Sequence, residues 1–84
     1  MTDALAARLR SATLTQVQAY RRARVRQGYN IIARWHHAKA LAERYPHWLD
    51  AQDEWQTAQA LRAHYEAGLA EIDAIIATKA TGRD

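Results

Sequence analysis

With 84 residues, no cysteine and a formal net charge of +3, the chain has room for one small core and no disulfide or thiolate-zinc site to reinforce it. No apolar run approaches the roughly 20 residues of a membrane span, and the opening TDALAARLR lacks the apolar stretch of a secretory signal. A soluble cytoplasmic protein with no membrane role is expected. Alanine and arginine are abundant, phenylalanine is absent and proline occurs once, a composition of strong helix formers that predicts an all-α fold. The alanine and arginine codons also suit a GC-rich bacterial or phage source.

Taken in order, Thr2 or Asp3 can cap a short helix with Leu5, Leu9 and Ala12 on one face. The helical signal weakens over Ser11 to Thr15. Thr13 and Gln16 have capping-box spacing, in which each side chain satisfies a free backbone N–H of the other, so a break is expected there and a new helix from Leu14.

From Leu14, Val17, Ile31, Trp35, Ala38, Ala42 and Tyr45 recur at helical steps of three and four. Their register passes through Arg21, Arg24 and Gly28, with Tyr20, Val25 and Ile32 on its flanks. Two arginines on such a stripe call for acids opposite them. A helical glycine costs about 1 kcal/mol against alanine, so Gly28 predicts a close neighbour.

Pro46 ends this helix, because the residue before proline is driven out of helical geometry, and proline is tolerated in the first turn of the next. Asp50, Asp53 and Glu54 then suit the opening turns. The period continues through Trp48, Ala51, Trp55, Ala58, Arg62, Tyr65, Leu69, Ile72 and Ile76, flanked by Leu61, Gly68 and Ile75. The expected organisation of the single domain is a short N-terminal helix or arm over 1–13, a basic long helix over 14–45, an acidic second helix over 47–78 and a frayed tail over 79–84. The short Tyr45-Pro46-His47 connection makes the long helices an antiparallel hairpin.

Folding back about Pro46 pairs positions whose numbers sum to roughly 93, by the antiparallel geometry of a short turn. Gly28 then meets Tyr65, Trp35 and Ala38 meet Ala58 and Trp55, and Arg21 and Arg24 lie near Asp73 as a structural ion pair. Charge is divided the same way: residues 1–44 hold nine basic and two acidic side chains, residues 45–84 three basic and seven acidic. Two helices alone cannot enclose their apolar faces. Cover is expected from the N-terminal helix, from a second copy, or from both, and a homodimeric helical bundle with Leu61, Gly68, Leu69, Ile72 and Ile75 near the contact is the economical solution.

Nothing points to catalysis. There is no Ser/His/Asp arrangement, Gly-rich phosphate loop or HExxH, and no cofactor or metal is expected. Adjacent His36 and His37 point in different directions on a helix, and a histidine lying against Trp35 or Trp48 is expected instead. Trp35, Trp48, Trp55, Tyr20, Tyr45 and Tyr65 fit core spacing, whereas Tyr29 falls off the stripe and should be exposed.

Arg10, Arg26 and Lys39 with Asp50 and Glu54 superficially resemble the carboxylate-gripping set of small helical chorismate mutases, but the Arg–Glu pair of that family's second helix is missing, as is a third helix. The segment Ile72-Asp73-Ala74-Ile75-Ile76 somewhat resembles the C-terminal strip of secretion-needle hairpins. Their second turn proline is absent here, and the first helix is too long and basic. Neither family is assigned.

The outward face of the first long helix carries Arg22, Arg26, Tyr29, Asn30, Ala33, His37, Ala40 and Arg44. Positive charge with a planar ring and an amide suits an acidic protein surface or phosphates. The expected function is that of a small non-enzymatic regulator or inhibitor, of phage or mobile-element type, binding another protein through this face. The alternative is a dimeric hairpin that binds nucleic acid through it.

Overall fold

Short polar devices set where the helices begin. Thr2 accepts the Leu5 N–H at 3.2 Å and starts α1 (Asp3–Ser11). Thr13 and Gln16 form the reciprocal box: the Thr13 N–H donates to Gln16 Oε1 at 2.9 Å and the Gln16 N–H to Thr13 Oγ1 at 3.2 Å. Two free helix-start donors are thereby satisfied, and α2 (Leu14–Arg44) begins at this box. α3 (Leu49–Ala80) follows the turn. The structure, a computed structural model, describes residues 1–82; α2 and α3 pack against each other as a helical hairpin preceded by the short α1. None of the described helices is long and apolar enough to cross a membrane.

Both ends of the second long helix differ from the sequence-based bounds. Pro46 and His47 form a turn, the Trp48 N–H bonds to Tyr45 O at 3.1 Å, and α3 starts only at Leu49. Pro46 thus lies ahead of the helix and not in its first turn. At the far end the helix continues two residues past Thr78 to Ala80, where the Thr81 hydroxyl donates to Thr78 O at 2.9 Å and Gly82 adopts a left-handed φ of 72°. Such a glycine terminates a helix without the Cβ penalty. Of the tail expected to fray over 79–84, Lys79 and Ala80 are helical; the last two positions lie outside the described residues.

The chain forms two compact units. The first, made of Met1–Arg26 and, among the described residues, 67–82, is built on a cluster of Leu9, Val17, Ile72 and Ile75, with Met1, Leu5, Ala12, Tyr20, Leu69 and Ile76 packed around it. α1 therefore supplies cover for the hydrophobic face of α3. Ile72 and Ile75, 2% and 8% exposed, belong to this intrachain core and not to a face presented to a second copy, and Leu69 packs against the same cluster. Three of the positions expected near a dimer contact therefore pack within the chain. Leu61 remains exposed and Gly68 half-buried.

The second unit, 27–66, has a core of small residues: Ala38 and Ala42 on α2, Ala51 and Ala58 on α3, and the buried ring of Tyr65. Small side chains on packed helices allow close axial approach. Gly28 is buried, and a Cβ built on it would fall on Cζ, Cε1 and Oη of Tyr65. Only hydrogen fits at this α2 position. Trp35 and Trp55 meet directly, with ring centroids 5.1 Å apart at 59°, where the hairpin register set each against an alanine. Tyr45 and Trp48, read from their spacing as core, are exposed because they belong to the turn and not to a helix face.

Candidate binding surfaces

The residues expected to bind a partner are all exposed, and they fall in both units. In the first, Arg22 and Arg26 stand four residues apart on α2 with open side chains, and neither has an ion-pair partner among the described residues. Among its described residues this unit holds seven basic side chains against Asp3, Glu71 and Asp73. Two of those acids are engaged: Asp73 by Arg21, and Glu71 by the Met1 ammonium at 3.8 Å. Arg8, Arg10, Arg22 and Arg26 are left without acidic partners among the described residues. The positive charge of the chain is therefore concentrated in this unit.

Arg21 grips Asp73 through two N–H groups, Nε to Oδ1 at 2.5 Å and Nη2 to Oδ2 at 3.5 Å. Their side chains are 39% and 51% exposed, so the pair sits at the surface and not in the core. Solvent screening reduces such a pair to about 0–1 kcal/mol. Arg24, expected to share Asp73, is half-buried.

In the second unit, Tyr29 is 64% exposed, and Asn30, His37 and Arg44 are exposed as well. The basic and acidic side chains there nearly balance, with Arg34, Lys39, Arg44 and Arg62 against Glu43, Asp50, Asp53, Glu54 and Glu66. Several are paired. Arg34 holds Glu54 in a bidentate bridge, Nε to Oε1 at 2.5 Å and Nη2 to Oε2 at 2.9 Å. That hydrogen bond pulls the Glu54 carboxyl below its ordinary range and raises the Arg34 guanidinium above its own. Lys39 and Glu43 approach to 3.9 Å.

Arg62 falls on the apolar register of α3. Its guanidinium lies over the Trp35 ring, 4.3 Å from the centroid, while Nε donates to Glu66 at 2.9 Å. Stacking on an indole and pairing with an acid four residues on lets an arginine occupy a half-buried stripe position. His36 meets the edge of the same indole at 5.0 Å. Sequence reasoning placed Arg62 on the stripe but gave it no partner, and it did not single out the Arg34–Glu54 bridge. The charges were visible, but which outward side chain reaches across α2 and α3 depends on side-chain direction as well as spacing.

Around the turn, Arg44 lies over the Tyr45 ring at 5.5 Å, and Tyr45 meets Trp48 edge-on at 5.8 Å. With Leu49, 77% exposed, these rings make an apolar patch on the second unit. Among the described residues, no group of three His, Cys, Asp or Glu side chains converges closely enough to hold a metal ion. The chain matches no family model, no characterised protein and no solved structure.

Proposed function

We propose that this protein is a small non-enzymatic regulator or inhibitor, of the kind phages and mobile elements encode, that engages an acidic protein surface through arginines of α2. The observation that carries this reading is the pair Arg22 and Arg26, exposed on one helix and without an acidic partner among the described residues, in a unit where two of the three described acids are engaged. Such charge steers an acidic partner and fixes its register. The exposed Tyr29, Asn30, His37 and Arg44 supply a second, uncharged-to-basic surface on the other unit. Of the expected homodimer contact, Leu61 and Gly68 remain available, so self-association is a separate matter from partner binding.

A capture experiment from a GC-rich bacterial lysate tests the reading, run with the native chain and with R22E/R26E, each with and without nuclease. A protein held by the native chain after nuclease and lost from the charge-reversed variant supports it; equal capture by both overturns it. The alternative, nucleic-acid binding, is favoured by the concentration of unpaired arginines in the first unit. It predicts nuclease-sensitive capture whose affinity falls steeply as salt rises, because phosphate contacts release counterions.

A further inference from the structure

The first unit also contains a groove of about 370 Å³ lined by Met1, Arg10, Glu71, Ala74, Ile75 and Thr78. That volume falls within the range of small-molecule sites, about 300–1,000 Å³. Its apolar part comes from the Met1 side chain, which is almost fully buried, from Ile75 and from Ala74. Its polar groups are unequally engaged. Thr78 already donates its hydroxyl to Ala74 O at 3.0 Å, and Glu71 faces the Met1 ammonium at 3.8 Å. The Lys79 ammonium donates to Arg10 O at 2.6 Å, holding the Arg10 backbone at the end of α1. The Arg10 guanidinium itself has no hydrogen-bond or ion-pair partner among the described residues.

A second groove shows the contrast. It is about 280 Å³ and lined by Lys39, Ala42, Glu43, Pro46, Gln52 and Trp55. There the Gln52 amide donates to Ala42 O and Pro46 O, each at 3.3 Å, and Lys39 pairs with Glu43. Its amide and ammonium donors are engaged within the chain. Of these two grooves, the Met1–Ile75 groove joins an apolar floor to the Arg10 guanidinium, unengaged among the described residues and on a backbone held by Lys79. A guanidinium is the group best suited to a carboxylate fork.

We infer that this groove binds a small amphipathic carboxylate, its carboxylate on Arg10 and its apolar portion against Met1 and Ile75. The site is independent of Arg22 and Arg26, so its fate does not decide the partner-binding proposal.

Octanoate is a suitable probe, with 1-octanol as the uncharged control. The chain has one methionine, so a ¹³C-methyl label reports from the groove floor alone. Octanoate should shift the Met1 methyl resonance saturably, R10Q should weaken binding by about tenfold, the usual loss with a charge-assisted hydrogen bond, and octanol should bind at least as weakly as octanoate does to R10Q. R10K, folded like the native chain by circular dichroism, should retain part of the affinity. An unmoved methyl resonance up to millimolar octanoate overturns the inference. Equal binding of octanol, or full affinity in a folded R10Q, overturns the assignment of the carboxylate to Arg10.

Discussion

Gly28 on α2 and Tyr65 on α3 are in steric register: the Tyr65 ring fills the volume a Cβ on Gly28 would need. Gly28→Ala should therefore destabilise the fold although alanine is the better helix former by about 1 kcal/mol. Forcing a methyl against a buried ring typically costs about 1–3 kcal/mol. Thermal unfolding should show a lower Tm for G28A, and Tyr65→Ala should lose much of its own effect when combined with it. Additive losses in the double mutant, or a stabilised G28A, would refute the steric relationship.

A second expectation concerns α1 as cover for the core. Leu9 and Ile72 share one buried cluster, so truncating either to alanine should cost about 2–5 kcal/mol, transfer energy plus the cavity left behind. In so small a core that is a large fraction of total stability. Chemical denaturation of L9A checks it. A loss under about 0.5 kcal/mol, of the size seen for surface changes, would mean α1 is not part of the cooperative core.

Much of this architecture was legible because its rules are local or follow from one turn. The Thr13–Gln16 box, the break before Leu14 and the meeting of Gly28 with Tyr65 all came from spacing and from counting back around Pro46. The misplaced residues were those where periodicity ran past a boundary. Trp48 and Tyr45 continue the apolar period in number, yet they lie in the turn, so their rings are exposed. Ile72 and Ile75 were correctly read as needing cover, but hydrophobic pattern alone does not say whether α1 or a second copy supplies it. Arg21 and Asp73 were placed together by register, while their exposure depended on the neighbours around them. The candidate binding face was legible as exposed charge; the engagement of Glu71 and Asp73, which leaves Arg22 and Arg26 without an acidic partner among the described residues, required coordinates.

The Arg34–Glu54 bridge sets a pH dependence of definite sign. The hydrogen bond from Arg34 lowers the Glu54 carboxyl in the folded state, below the roughly 4.3 of an unfolded glutamate. The unfolded chain takes up the proton first as pH falls. The bridge's contribution is therefore complete above the unfolded value and is lost as pH drops through the folded one. Both groups are near solvent, so the effect on Tm is small and shrinks with added salt. A carboxyl-detected NMR titration should place Glu54 below the ordinary range, and R34A should return it there. An unchanged midpoint in R34A would sink the assignment.

The arginines of α2 should separate into two behaviours. Arg21 is held by Asp73 at the surface, so R21A should lower stability by no more than about 1 kcal/mol. Arg22 and Arg26 have no acidic partner among the described residues, and substitutions at such exposed positions move stability by about 0.5 kcal/mol or less. Reversing both to glutamate should therefore leave the unfolding curve nearly in place. Partner capture, by contrast, should be lost, because the same change turns attraction to an acidic surface into repulsion. R22Q/R26Q separates the two contributions: if binding depends on charge it should fall to an intermediate level, and raising salt on the native chain should mimic it. Native-level capture by R22E/R26E would show that these arginines are only a solvated face, and the search would pass to Tyr29 and His37 on the other unit.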